Sequence, residues 1–266
     1  MKKSITILGA GESGIGAVLL GLKQGYDVFL SDAGPISADR KAILQSHGVE
    51  YEEGGHDIER VLSGDEIVKS PGIPETVPLI KEAISRGIPV ISEIEFAYRY
   101  IPERAKVIAI TGTNGKTTTT LLTHHLLKVA GYQVALGGNV GVSLAKLVAE
   151  GNHDYYVVEV SSFQLDGIVK FKPDVAVLLN ITPDHLDRYE YDFQKYVNSK
   201  FRITDNLSHR ESFIYCADSK PVSEEVSKRK VEACLFAVST TKDPKWEAYM
   251  DEQEEHLIFN YQYKDK

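Results

Sequence analysis

The sequence predicts an α/β protein of two domains: an N-terminal Rossmann-like parallel sheet, then a P-loop α/β domain of the ATPase type. Three observations predict it. Short apolar, often β-branched runs alternate with helix-length segments along most of the 266 residues, which is the pattern of parallel sheets with helical crossovers. The first run is followed by Gly9-Ala10-Gly11-Glu12-Ser13-Gly14. A later run, Val107-Ile108-Ala109-Ile110, breaks into Thr111-Gly112-Thr113-Asn114-Gly115-Lys116-Thr117-Thr118. A chain of this length suits about two domains.

Ser4–Leu8 reads as the opening strand, Ile15–Leu22 as a helix and Asp27–Ser31 as a second strand that ends at Asp32. A G-x-G-x-x-G turn between strand and helix, with an acid about 20 residues on, is the dinucleotide fingerprint. It is a geometry and not a reaction. Glycines bring backbone N–H groups against any diphosphate, that of a nucleotide sugar included. Ser37–His47 reads as a helix, Val49–Tyr51 and Glu66–Lys69 as strands, and Ser70-Pro71-Gly72-Ile73-Pro74 as a fixed loop. Ser70 follows a parallel strand, so it is either a phosphate or sugar contact or part of a rigid turn. Thr76–Arg86 is helical, Ile88–Ser92 a short strand and Glu93–Tyr100 a helix broken at Pro102. The first domain is read as 1–101.

The second domain, 102–266, starts at the other glycine turn. Gly112, Thr113, Asn114, Gly115, Lys116, Thr117 and Thr118 form a variant phosphate loop, because Ile110 stands where the full pattern has a glycine. Amides at the helix start cradle phosphate, Lys116 reaches the outer phosphates, and the Thr117 hydroxyl meets Mg²⁺. The helix runs to Val129; Val134–Leu136 is a strand ending in Gly137-Gly138-Asn139-Val140-Gly141. Tyr155–Val160 is a buried strand that carries one carboxylate, Glu159, near its end. A charge there needs a partner: a metal is the economical one, since the Thr117 hydroxyl implies Mg²⁺ nearby, and a structural salt bridge is the alternative. Ser161-Ser162-Phe163-Gln164-Leu165 reads as a polar loop, and Val175–Leu179 as a strand leading into a loop with Asp184, His185 and Asp187. From Tyr189 to Leu207 the spacing is helical, with Phe193, Tyr196, Val197, Ile203 and Leu207 on one face and Lys200 in their midst. Such a lysine must snorkel, pair with an anion or lose its charge; a neutral one can capture CO₂ as a carbamate. Phe213–Tyr215 is a strand, Pro221–Glu232 a charged helix and His256–Tyr263 a strand.

Composition excludes some classes. The net charge of −8 argues against a general nucleic-acid binder. The apolar runs are strand-sized, far short of the roughly 20 residues of a membrane span, and Met1–Ile5 does not open a signal peptide. Cys216 and Cys234 lack metal spacing and suit a reducing cytoplasm.

Gly112–Thr118, Gly138–Gly141, Glu159–Leu165, Asp184–Tyr189 and Ser70–Pro74 together resemble the Mur ligase family. Ser-Ser-Phe-Gln-Leu and Ser-Pro-Gly-Ile-Pro resemble its D-glutamate-adding branch. The resemblance implies a cytoplasmic, monomeric, ATP-dependent ligase of peptidoglycan synthesis that joins D-glutamate to UDP-N-acetylmuramoyl-L-alanine through an acyl phosphate. It implies two Mg²⁺ ions, one at Thr117 and Glu159, the other at His185 and a carbamate on Lys200. Lys116, His185 and Lys200 would be catalytic. Ser13, Gly14, Asp32 and Ser70 would hold uridine diphosphate, and Asn139, Ser161 and Gln164 would face the muramoyl-alanine end. The family's C-terminal domain has no counterpart here, so the chain is expected to bind ligands without turnover. Partners are the substrates, with no nucleic acid and no membrane. The alternatives are an NAD-dependent oxidoreductase, suggested by the first fingerprint, and a nucleotide-binding module without chemistry.

Overall fold

A computed structural model describes residues 2–241, 247–253 and 256–261. The chain forms two compact units. Unit one is Met1–Ala105, Ala135–Asp154 and Phe163–Phe171; unit two is Lys106–Val134, Tyr155–Ser162 and Lys172–Lys266.

The first hundred residues supply β1 (Ser4–Leu8), α1 (Glu12–Lys23), β2 (Asp27–Asp32), α2 (Ala38–Ser46), β3 (Glu50–Glu53), α3 (Ile58–Val61), β4 (Glu66–Lys69), α4 (Pro78–Ser85), β5 (Val90–Ser92) and α5 (Glu93–Tyr98). The strands form one parallel sheet in the order β3-β2-β1-β4-β5. Ile5, Ile7 and Leu8 of β1 are buried, as are Ala17, Val18 and Leu20 of α1. This is the expected Rossmann-like sheet, and its strand ends gather the fingerprint turn, Asp32 and Ser70.

The rest supplies β6 (Lys106–Thr111), α6 (Lys116–Val129), β7 (Val134–Gly138), α7 (Leu144–Glu150), β8 (Tyr155–Glu159), α8 (Ser162–Leu165), β9 (Val175–Leu178), α9 (Phe193–Phe201), β10 (Ser212–Cys216), α10 (Lys220–Lys228), β11 (Cys234–Ser239), β12 (Ala248–Gln253) and β13 (His256–Tyr261). In unit two the strands run β13-β12-β11-β10-β9-β6-β8. All these pairings are parallel except the β12–β13 pair. The register matters for function. Ile110 stands opposite Glu159 on one side, and Thr111 opposite Leu178 on the other. The phosphate loop therefore leaves the sheet between Glu159 and the loop after β9.

Several elements depart from the sequence reading. Ser162–Leu165 is a helical turn and not a loop. The helix expected from Tyr189 begins only at Phe193, because Glu190 and Tyr191 adopt left-handed backbone with φ of 57° and Asp192 caps the helix by accepting the Gln194 N–H at 2.8 Å. It stops at Phe201 and tightens to a 3₁₀ turn over Arg202–Thr204. The charged helix at 221–232 ends at Lys228, where Arg229 turns extended. α3, α7, β11 and β12 were not anticipated. Residues 262 and 263 of the last expected strand lie outside the described residues. Among the described residues no helix is long and apolar enough to cross a membrane.

Candidate active site

In unit two the site begins at Gly115. Its φ of 81° is left-handed, which favours glycine, and it starts α6 without a side-chain cap. The first-turn amides of such a helix have no intrahelical acceptor and favour an anion. Lys116 Nζ folds back onto Thr113 O at 2.8 Å, which holds its charge over the loop. The Thr117 hydroxyl donates to Glu159 Oε2 at 2.7 Å, and Glu159 is 2% exposed.

The loop is clamped from the β9 side. Thr113 N–H donates to Asn180 O, and Asn114 N–H donates to Asn180 Oδ1, both at 2.8 Å; Asn180 Nδ2 returns a bond to Asn114 O at 3.0 Å. Thr182 N–H donates to Thr113 Oγ1 at 3.0 Å, and the Tyr196 hydroxyl lies 3.1 Å from that atom. Asn180 was missed as a site residue. The available signal was its position directly after a parallel strand beside the phosphate-loop strand.

Lys200 does not snorkel. It is 2% exposed, and its Nζ lies 4.9 Å from the Tyr196 ring centroid, within range of a cation–π contact. Its neighbour Ser199 donates to Ser162 O at 3.0 Å, which ties α9 to the segment after Glu159. Ser161 lies in that same segment. His185 has a left-handed backbone, φ 49°, and a half-exposed ring whose Nε2 is 3.6 Å from Asp184 Oδ2. Among the described residues no three His, Cys, Asp or Glu side chains form a metal-type group. The Thr117–Glu159 pair offers hard oxygens, which fit Mg²⁺, a cation that takes few protein ligands and completes its shell with water and phosphate.

In unit one, β1 turns into α1 so tightly that a Cβ on Gly14 would lie 1.8 Å from Gly9 O. Asp32 braces this turn: Oδ2 accepts the Ala10 N–H at 2.6 Å and Oδ1 the Gly34 N–H at 2.8 Å. A ribose would have to use the remaining lone pairs. Ser70 closes the other side, its Oγ 3.4 Å from Gly9 O. Ser13, Gly14, Asp32 and Ser70 thus surround one glycine turn. Asn139 is exposed on the turn after β7, and Gln164 is buried in α8, both in unit one.

Comparison with known proteins sets this geometry in a family. Residues 110–266 match the Mur ligase middle domain, and residues 3–92 the MurD-like N-terminal domain of Mur ligases. The chain belongs to the Mur ligase family. It is 50% identical over 262 residues to the UDP-N-acetylmuramoylalanine–D-glutamate ligase of Bacteroides fragilis, covering 97% of this chain and 59% of that protein. The ligase of the same name from Cytophaga hutchinsonii is 53% identical over 253 residues, 95% of this chain and 56% of that one. The chain thus spans less than two thirds of these Mur ligases. Among solved structures, the UDP-N-acetylmuramate:L-alanyl-gamma-D-glutamyl-meso-diaminopimelate ligase from Neisseria meningitides superposes with a TM-score of 0.66 at 18% identity, over 98% of this chain and 85% of that one. UDP-N-acetylmuramate-alanine ligase from Thermotoga maritima gives 0.55 at 23%, over 94% and 54%. Both share the Mur ligase fold. The oxidoreductase alternative finds no support in these relatives.

Proposed function

We propose that this chain carries the nucleotide-sugar and ATP-handling parts of a UDP-N-acetylmuramoyl-L-alanine–D-glutamate ligase of cytoplasmic peptidoglycan synthesis, and that it is monomeric. The observation that carries this reading is 50% identity to ligases of that name along 97% of the chain. The intact Thr117–Glu159 pair beneath a phosphate loop supports it.

In this reading the alanine carboxylate attacks the γ-phosphorus of ATP, ADP departs, and an acyl phosphate forms. The D-glutamate amine then attacks the acyl carbon, loses a proton and expels phosphate. No enzyme nucleophile is required, so the protein contributes position and charge. Gly112–Thr118 hold the ATP phosphates, with Lys116 neutralising the outer oxygens. Thr117 and Glu159 would hold one Mg²⁺, and His185 with Lys200 a second; bound there, such ions would neutralise phosphoryl charge. Lys200 would serve as a carbamate: its ammonium gives up a proton, the neutral amine adds CO₂ and a second proton leaves, which replaces a buried cation with an anion. Ser13, Gly14, Asp32 and Ser70 hold uridine diphosphate, and Asn139, Ser161 and Gln164 face the muramoyl-alanine end.

Calorimetric titration with UDP-N-acetylmuramoyl-L-alanine, with NAD run beside it, tests the reading. Heat from the nucleotide sugar and none from NAD supports it. Heat from NAD alone overturns it.

A further inference from the structure

α5 opens with two carboxylates that its own sheet does not use. Glu93 is 2% exposed and Glu95 0%. Buried carboxylates need donors, and here the donors come from far along the chain. Glu95 Oε2 accepts three consecutive amides, those of Val169, Lys170 and Phe171, at 2.9, 2.9 and 2.8 Å. Successive N–H groups turned onto one oxygen make an anion nest, filled here by a side chain of the same unit. Ser92 extends the junction. Its N–H donates to Gly167 O at 2.9 Å, and a Cβ on Gly167 would lie 2.7 Å from Ser92 N. Ser92 Oγ also accepts the Glu95 N–H at 3.3 Å, which fixes the turn that carries the carboxylate. Arg99 Nε lies 3.6 Å from Glu95 Oε1 while its guanidinium bonds both oxygens of Glu66 on β4, at 2.8 and 3.0 Å.

The clasped segment leads straight back to α8. Gly167 N–H donates to Gln164 O at 3.3 Å, and Ile168 N–H to Leu165 O at 3.2 Å. A cluster of apolar side chains would hold this segment by packing alone, at no desolvation cost. A carboxylate with three donors sets the path of the backbone instead. We infer that Glu95 is a positioning residue: through the 167–171 turn it sets where α8 presents Gln164 to the muramoyl-alanine end of the nucleotide sugar. This rests on the proposed substrate reading.

The test compares UDP-N-acetylmuramoyl-L-alanine with UDP in calorimetry on this chain, as wild type, Glu95→Gln and Glu95→Ala. Glu95→Gln keeps an acceptor of similar shape and guards against loss of fold. Both variants should bind the precursor weaker by about tenfold or more, with UDP unchanged within about twofold, since one lost hydrogen bond to a ligand is worth about that factor. Amide exchange at 169–171 should quicken in both. Unchanged precursor affinity in Glu95→Ala overturns the inference. So does equal weakening of UDP and precursor, the mark of a merely structural role. A wild-type chain that does not distinguish precursor from UDP overturns the parent reading, before any variant is made.

Discussion

The Thr117 hydroxyl donates to Glu159 Oε2 at 2.7 Å, across the junction between the phosphate loop and the neighbouring strand. Parallel register produces this meeting, since β8 ends beside the residue that enters the loop. Glu159→Gln retains an acceptor for the hydroxyl but removes the negative charge. It should weaken binding of ATP with Mg²⁺ by about tenfold or more, because hard cations depend on carboxylate charge. ATP binding in EDTA should change little. Equal loss in both titrations would assign Glu159 a purely structural part.

Asn180 bonds Asn114 through both ends of its amide. Asn180→Ala removes two partly exposed hydrogen bonds and should lower stability by about 1–2 kcal/mol. The larger effect should fall on ATP affinity, since the loop then holds several conformations. UDP binding should be untouched. Chemical denaturation and paired titrations measure both.

Gly14→Ala places a methyl group against the Gly9 carbonyl, where backbone cannot yield cheaply. The expected cost is about 3 kcal/mol, at the upper end of overpacking, together with loss of UDP binding. ATP binding should survive in material that remains folded. Intact UDP affinity would place the diphosphate elsewhere.

Glu93 carries a distinct pH signature. Burial pushes its carboxyl up to about 7, against one favourable bond from the Ala145 N–H to Oε1. Among the described residues its Oε2 has no hydrogen-bond partner. The folded state therefore binds a proton more tightly than the unfolded chain. This group's contribution favours the native state below the usual glutamate range and is lost as pH rises through about 7. The span corresponds to roughly 3 kcal/mol. Glu93→Gln cannot titrate, so denaturation midpoints measured from pH 5 to pH 8 should show a shallower decline than wild type. Parallel curves would refute the assignment.

Much of this was legible in the sequence. The fingerprint and phosphate-loop turns sit where glycine, lysine and threonine chemistry put them, because local backbone needs dictate those residues. The long-range devices were not legible. Asn180 acts through a partner 66 positions away, and Glu95 through amides more than 70 positions on. Nothing in local periodicity marks such partners; Glu93 and Glu95 read only as helix. α7 could have been found, since Ser143 caps it by accepting the Lys146 N–H at 3.3 Å ahead of Leu144, Leu147 and Val148 at helical spacing. The late start of α9 could not, because two left-handed residues without glycine override a helical pattern.

Unit one draws on three separated stretches of the chain. α1 rests on α7, with Gly16 so close to Ser143 that a Cβ would lie 1.9 Å from its hydroxyl oxygen, and Lys23 reaching Ala149 O at 2.8 Å. A gene exchange at the Pro102 junction would pair each α1 with an α7 from a different ancestor. Such chimeras should survive only between parents that match at Gly16 and Ser143. The natural recombination unit among these ligases would then extend at least to residue 171, well past the apparent linker.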